Sequence, residues 1–279
     1  MTAKMTETNH DETYRTFFRE VLQNIRRIMA ENYGMKEVSI RPISSNTSRL
    51  SIPIKITGLN EKGEKVHYFG KILGGSDIFS ARSMQFFKNV YLRMNAQDPI
   101  FGNSETAEDM AREQYEMLQA IYNSGIPTAK PHGYHWIHGI LWLLVAEFLD
   151  VKPVSAFKEV DPRQIDMVFR YLKKMHRMKI FHGDLKPDNI MVGKNIYILD
   201  VGRFREGVPA AKKQAYDIAC LICSFLECLP VEEIVKIARK HYSRQHLRAA
   251  ADYVKLVQRR PDIRFTDQTK NKLLHLLRS

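Results

Sequence analysis

The sequence is poor in cysteine, with three in 279 residues. So few thiols exclude the disulfide framework of a small secreted domain. Cys220, Cys223 and Cys228 lie in one apolar segment with a helical pattern, and no fourth cysteine exists to complete a zinc site. His241 is the next candidate ligand along the chain, which keeps a zinc site as the minor alternative. We expect the three residues to be buried core thiols.

Long hydrophobic runs are also lacking. The longest apolar-rich stretch, residues 137–149, is interrupted by His138, Gly139 and Glu147 and is too short to cross a bilayer. The first residues are polar and resemble neither a secretory signal nor a transit peptide. The sequence therefore predicts a cytoplasmic protein with no membrane span.

Acidic residues are fewer than basic ones, 31 against 43, which gives a net charge of +12. The 44% of hydrophobic residues suffices for a core, and the length fits one bilobal domain or two smaller ones. Many basic residues lie near the end of the chain and form either a patch for RNA, a ribosomal particle or an acidic partner, or an ordinary solvated face. They are Lys236, Arg239, Lys240, Arg244, Arg248, Lys255, Arg259, Arg260 and Arg264.

The apolar periodicity predicts strands in the first part of the chain. A helix is expected over residues 11–33, with Asp11 as its N-cap and Gly34 as its stop. Three strands follow as an antiparallel meander, and residues 139–148 contain enough apolar sequence for two more. The three strands of the meander cover residues 38–43, 50–56 and 66–73.

Helices dominate the rest of the pattern. A helix is predicted over residues 107–123, and Asp161 followed by Pro162 marks the start of another. Between the strands and the first of these helices, residues 76–106 indicate an inserted loop with a possible helix at 84–93. Beyond Asp150 nearly all periodic sequence is helical.

The candidate catalytic and metal-binding residues are concentrated between positions 182 and 202. A polar loop ends at Asn189, and a predicted tight hairpin over residues 190–199 then leads to Asp200. The hairpin brings Asn189 and Asp200 to the same end, where their oxygens suit Mg²⁺. Asp184 would then face an acceptor hydroxyl and accept its proton, while Lys186 would neutralise charge on a transferred phosphoryl group.

The segment HGDLKPDNIMV followed by LDVG resembles the catalytic and metal-binding loops of the protein-kinase-like phosphotransferases. The resemblance implies ATP as cofactor with Mg²⁺, or Mn²⁺, held by Asn189 and Asp200. It makes Asp184 the catalytic base and Lys186 the phosphate contact. His182 is then expected to pack the loop. Asp217 resembles the buried aspartate that opens the next helix and holds this loop, a simple helix cap being the alternative.

The same resemblance extends to the nucleotide site. Lys71 lies amid apolar residues of a strand, as the phosphate-binding lysine of kinases does, although an edge-strand lysine is the alternative. Counting in the family pattern lands on Gln114, so the partner carboxylate is expected to be Glu113, with Glu116 as the alternative. The backbone near Glu147 and Leu149 resembles the adenine-binding hinge.

Two features depart from ordinary protein kinases. The turn that contains Ser45 and Asn46 has no glycine, so phosphates would be bound by its backbone N–H groups and small polar side chains. Only residues 201–216 separate Asp200 from Asp217, too few for a peptide-binding platform. The chain is therefore most similar to the atypical branch of the superfamily: RIO-type, aminoglycoside-phosphotransferase-like and lipopolysaccharide-kinase-like proteins.

Taken together, the patterns predict strands followed by helices in an α+β protein, and the resemblance implies that they form the bilobal protein-kinase-like fold. Residues 1–149 would form an N-terminal helix and the sheet-containing lobe with its hinge, and residues 150–279 a helical catalytic lobe. The resemblance implies an atypical serine/threonine protein kinase. The alternatives are a kinase for a small alcohol of aminoglycoside or sugar type, and a nucleotide-gated ATPase that binds RNA or ribosomes.

Overall fold

The structure is a computed structural model that describes residues 2–43, 51–74, 106–202 and 204–279, with side chains from residue 16 onwards. Its described residues group into two compact units. The first holds the N-terminal helix, a five-stranded sheet and the beginning of the next helix, and the second holds the end of that helix and all elements after residue 150. The α+β class is thus confirmed.

The first unit is a helix packed on an antiparallel sheet. Its elements are α1 (Thr2–Tyr33), β1 (Lys36–Pro42), β2 (Ser51–Leu59), β3 (Lys65–Leu73), β4 (Pro131–His138) and β5 (Leu141–Glu147). The strand order is β1-β2-β3-β5-β4, so the first three strands form the predicted meander. The core lies between the apolar face of α1, including Ile25 and Met29, and buried residues of the sheet such as Ile56 and Leu143.

Two predictions for this unit were wrong in detail. The first helix begins at Thr2, well before Asp11, because residues 2–10 are mostly polar but contain no proline or glycine that would stop a helix. Its end is as expected, since Gly34 adopts a φ of 61°. The strand before Gly139 was missed because β4 is rich in histidine and aromatic residues, which hides its alternation.

Helix α2 (Ala107–Asn123) has the predicted bounds. Its N-terminus is capped by Thr106, whose Oγ1 accepts a hydrogen bond from the backbone N–H of Asp109 at 3.1 Å. Residues up to Tyr115 belong to the first unit and those from Glu116 to the second.

The second unit is mostly helical and carries one small sheet of order β6-β7-β8. Its strands are β6 (Lys152–Pro153), β7 (Ile190–Val192) and β8 (Ile196–Ile198). Its helices are α3 (Pro162–Arg177), α4 (Ala210–Ser224), α5 (Val231–His241), α6 (Arg244–Ala251), α7 (Val254–Gln258) and α8 (Asp267–Arg278). Asp161 caps α3 by accepting from the backbone N–H of Arg163, as the sequence predicted.

The three thiols lie in or beside α4 and form no disulfide. Cys220 and Cys223 are buried in the helical core, while Cys228 is half-buried. Burial raises the pKa of Cys220 to about 12, so this thiol stays protonated at neutral pH. The expectation of core thiols is confirmed for Cys220 and Cys223.

No helix in the described part of the chain is long and apolar enough to span a membrane. The possible helix at 84–93 and the turn with Ser45 and Asn46 lie outside the described residues. The division of the chain into lobes after residue 149 stays a prediction.

Candidate active site

The polar loop that begins at His182 is anchored by the carboxylate of Asp217. This carboxylate is fully buried and accepts two backbone hydrogen bonds, from the N–H of His182 to Oδ2 and from the N–H of Gly183 to Oδ1, each at 2.8 Å. The sequence placed Asp217 at the start of a helix, which was wrong. Helix α4 begins at Ala210 because the residues before Asp217 are good helix formers. Asp217 therefore does not cap α4, and its carboxylate serves the loop.

Two further buried residues extend this anchor. His176 Nε2 lies 3.2 Å from Asp217 Oδ2, and the Tyr242 hydroxyl lies 3.0 Å from His176 Nδ1. Burial raises the pKa of Tyr242, so its hydroxyl keeps the proton and donates to Nδ1. His176 then carries its own hydrogen on Nε2 and donates to Asp217. The sequence analysis did not predict this series of hydrogen bonds. The only sign of it in the sequence is one histidine on the apolar face of α3.

His182 packs inside the loop, as expected. It is completely buried, its Nδ1 accepts from the backbone N–H of Asp184 at 3.2 Å, and its Nε2 lies 3.1 Å from the carbonyl of Leu199. Because a backbone N–H can only donate, Nδ1 is unprotonated and Nε2 carries the hydrogen. Burial lowers the pKa of His182 below its usual 6.5, so the ring is neutral at neutral pH.

Asn189 joins the loop to the hairpin. Its Nδ2 donates to the carbonyl of Asp184 at 2.8 Å, to Asp184 Oδ2 at 3.1 Å and to the carbonyl of Asp200 at 3.1 Å. All three partners are acceptors, so the amide nitrogen must face them, and Oδ1 remains as the ligand atom of this side chain. The predicted meeting of Asn189 and Asp200 at one end of the hairpin is thus observed.

The loop that contains Asp184 packs closely against the turn that contains Gly202. The N–H of Gly202 donates to the carbonyl of His182 at 2.8 Å. A Cβ atom at Gly202 would lie 2.9 Å from Asp184 Cβ and 2.9 Å from the carbonyl carbon of Gly183. Such distances are shorter than real contacts, so only glycine allows this approach.

Asp184 and Lys186 present their charges next to each other. The side chain of Asp184 is 30% exposed, enough to meet a substrate, and its Oδ2 lies 3.5 Å from Lys186 Nζ. Burial alone would lower the pKa of Lys186, but the carboxylates of Asp184, Asp200 and Asp262 more than offset this and raise it. Lys186 is therefore a cation at neutral pH.

Arg260, which follows α7, makes the shortest contact to Asp184. One guanidinium nitrogen lies 2.5 Å from Asp184 Oδ1. The sequence counted Arg260 among the residues of a basic surface patch, and for this residue that was wrong, because its side chain is only 14% exposed. Nothing in the spacing links it to a loop 76 residues earlier. In contrast, Lys236, Arg244 and Arg259 are exposed.

The donor set fits a magnesium ion. Asp200 and Asn189 offer hard oxygen atoms at one end of the hairpin, and the described residues contain no group of three or more His, Cys, Asp or Glu that would form a closed metal cage. Mg²⁺ usually takes one or two protein ligands and completes its shell with water and phosphate oxygens. The residues present are consistent with that mode of binding.

The nucleotide residues predicted in the first unit occupy ordered positions. Lys71 is buried in β3, opposite Pro53 of β2 and Leu144 of β5. Strand β3 is thus interior to the sheet, and the alternative of an edge-strand lysine is wrong.

The other predicted nucleotide residues remain predictions. Glu113 and Glu116 lie on α2, and Glu147 ends β5, two residues before Leu149. Between the two glutamates, Gln114 has a buried Oε1 with no hydrogen-bond partner among the described residues. Pairing of Lys71 with Glu113 and the hinge role of Glu147 and Leu149 are untested.

An antiparallel sheet unit, together with a helical unit that sets an Asp-x-Lys-x-x-Asn loop beside an Asp-x-Gly turn, defines a protein-kinase-like protein of the atypical branch. The family model of the RIO domain (RIO1) matches residues 80–228, more than half of the sequence, and the chain belongs to this family. Its members are classed with the ATP-dependent kinases.

Two individual proteins illustrate the relationship. The RIO-type serine/threonine-protein kinase Rio1 of Thermoplasma acidophilum is 27% identical over 96 residues, which are 33% of this chain and 49% of the relative. The match therefore spans about half the length of that protein. The crystal structure of a putative fructosamine-3-kinase from Haemophilus somnus 129PT has a TM-score of 0.50 at 11% identity, covering 94% of this chain and 99% of that chain. At this identity the likeness concerns the fold alone.

Proposed function

We propose that the protein transfers the γ-phosphoryl group of ATP to a serine or threonine hydroxyl of a protein. The observation that carries the proposal is a cluster in which Asn189 Nδ2 hydrogen-bonds to Asp184 and Asp200, and Lys186 forms an ion pair with Asp184. The family match and the name of the Thermoplasma relative support the same reaction.

Each residue of the cluster has a distinct role in this proposal. Asp184 accepts a hydrogen bond from the acceptor hydroxyl and takes its proton as the oxygen attacks. Lys186, held cationic by the surrounding carboxylates, stabilises the negative charge that develops on the phosphoryl oxygens. Lys71 contacts the nucleotide phosphates.

Asn189 Oδ1 and the Asp200 carboxylate would hold Mg²⁺, which supplies charge neutralisation for the phosphates of ATP. The amide of Asn189 thereby has two functions. Its nitrogen fixes the backbone carbonyls of both loops and its oxygen remains for the cation. This division explains why an amide, and not a carboxylate, suits position 189.

Labelled ATP tests the proposal directly. The purified protein is incubated with γ-labelled ATP and Mg²⁺, alone and with dephosphorylated casein, and label on protein and free phosphate are counted separately. We expect protein label in the wild type and a loss of about a hundredfold or more in Asp184→Ala and Asp200→Ala.

Asp188→Asn is the matched control, because Asp188 lies in the same loop but hydrogen-bonds to Ser155 and not to the cluster. This variant should keep the wild-type rate. Label that persists in both Asp184→Ala and Asp200→Ala would contradict the proposed site.

A small-molecule acceptor is the second candidate function. Helix α4 begins at Ala210, so residues 201–209 are all that connect Asp200 to it, and such a short connection offers little surface for an extended peptide. Turnover of a sugar or amino-alcohol acceptor without any label on protein would favour this candidate over the first.

A further inference from the structure

We infer that Arg260 is a positioning residue, which holds the carboxylate of Asp184 in the orientation needed to receive a proton from the acceptor hydroxyl. The inference rests on the proposed function and adds to it a residue outside the matched range 80–228. Its basis is the contact between the Arg260 guanidinium and Asp184 Oδ1 at 2.5 Å, made from a segment 76 residues further along the chain.

The guanidinium is itself fixed by neighbours on several sides. Asp262 binds it with both oxygens, Oδ2 at 2.8 Å and Oδ1 at 3.3 Å. The hydroxyl of Tyr216, on buried helix α4, accepts from a third nitrogen at 3.0 Å. A planar group held at all three nitrogens cannot rotate freely, so its position is set by α4 and by its own loop.

The contacts of Asp184 show what this rigidity achieves. A carboxylate has about four lone-pair positions, and Asp184 accepts hydrogen bonds from Arg260 at Oδ1 and from Asn189 at Oδ2. The ammonium of Lys186 adds an ion pair, 3.5 Å from Oδ2. One hydrogen bond on each oxygen fixes the rotation of the carboxylate. Lone-pair positions then remain for the acceptor hydroxyl, on a side chain that is still 30% exposed.

Removal of Arg260 should therefore affect the rate of transfer more than the binding of ATP. Without it, Asp184 is held on the Oδ2 side only and can rotate away from the hydroxyl. We expect Arg260→Met to lower kcat by about tenfold to a hundredfold, in keeping with the cost of a small misplacement of a reacting group, and to leave KM for ATP within about twofold.

The first experiment measures kcat and KM for ATP with dephosphorylated casein as the acceptor. Arg260→Lys should lose less than Arg260→Met, because the ammonium keeps the charge but cannot bind Asp184 and Asp262 together in the same geometry. Arg259→Met is the matched control, since Arg259 is the adjacent residue and is exposed. It should match the wild type.

Three outcomes would overturn the inference. An unchanged kcat in Arg260→Met would show that Asp184 needs no such support. A higher kcat would show that Arg260 blocks Asp184. A rise in KM for ATP with kcat unchanged would assign Arg260 to nucleotide binding. If Arg260→Met does not fold, Asp262→Asn loosens the same guanidinium and should produce a smaller kcat loss with the same unchanged KM.

A second experiment does not depend on phosphate transfer. Melting temperatures are measured for Arg260→Met, Asp184→Asn and the double variant. If the two side chains hold each other in solution, the double variant loses less than the sum of the single losses. Additive losses would overturn the inference even if casein is labelled. Absence of label in the wild type would defeat the proposed function instead, and the melting data would still decide whether Arg260 fixes Asp184.

Discussion

The two units bury polar groups in different ways. In the first unit, the hydroxyl of Tyr33, the last residue of α1, and His135 Nε2 form a partly buried pair at 2.7 Å beside an apolar core. In the second unit, a similar tyrosine–histidine pair is buried and continues through Asp217 into the loop before Asp184. The sheet unit is thus stabilised mainly by apolar burial, whereas the helical unit depends on connected polar groups that also build the site.

The largest effect on stability is expected from the loss of Asp217, which connects the buried polar groups of the second unit. Asp217→Ala leaves two buried N–H groups and His176 without their acceptor, so we expect the free energy of unfolding to fall by about 3–5 kcal/mol, together with loss of phosphate transfer. Urea unfolding followed by circular dichroism measures it.

Asp217→Asn is the control for this prediction, because it keeps one oxygen acceptor and should lose less. A loss below about 1 kcal/mol in Asp217→Ala would mean that the loop does not rely on this anchor.

Gly202→Ala is expected to have the next largest effect. Its Cβ would meet Asp184 and Gly183 at 2.9 Å, so we expect about 1–3 kcal/mol of destabilisation and a drop in kcat with the displacement of Asp184. The labelling assay and thermal unfolding together measure both parts.

Gly139→Ala in the first unit is the comparison for that change. Gly139 has a φ of 53°, but apart from its chain neighbours no heavy atom of the described residues lies within 4 Å of the added Cβ, so only backbone strain of about 1 kcal/mol is expected, with kcat unchanged. Equal losses of kcat in the two variants would contradict the role of Gly202.

The paired substitutions Tyr242→Phe and Tyr33→Phe sharpen the comparison further. Each removes one hydroxyl that binds a histidine, but the Tyr242 contact is buried and its histidine leads to Asp217. We expect losses of about 1–2 kcal/mol for Tyr242→Phe and about 0.5–1 kcal/mol for Tyr33→Phe in urea unfolding. A larger loss at Tyr33 would reverse the contrast between the units.

The smallest expected effect is a dependence of stability on pH. Burial lowers the folded-state pKa of His182, so below its usual value of 6.5 the unfolded chain binds a proton that the folded protein does not. The free energy of unfolding should therefore fall as the pH drops through 6.5, and this residue should contribute no change above it.

Unfolding at pH 7.5 and 5.5 measures this slope. His182→Gln should reduce it more than His135→Gln, because His135 also has a pKa lowered by burial but is only partly buried in the structure. An unchanged slope in His182→Gln would mean that the ring is not neutral when buried.

The sequence predicted features that depend on neighbouring residues and missed contacts between residues that are far apart along the chain. Local signals predicted α2, the Asp161 cap of α3 and the hairpin that joins Asn189 to Asp200, because each depends on residues close together in sequence. Asp184 and Lys186 were found through one short motif. His176, Tyr242 and Arg260 were missed because their partners lie 41, 66 and 76 residues away, and no periodic pattern encodes such contacts.

The position of Arg260 in the chain also has a consequence for synthesis. Ribosomes add about 5–20 residues per second, so the 76 residues between Asp184 and Arg260 take about 4–15 s to make. From the synthesis of Asp200 onwards, the nascent protein holds Asp184, Lys186, Asn189 and Asp200 but still lacks the guanidinium that orients the first of them. The timing of translation thus delays completion of the site until α6 and α7 have been made.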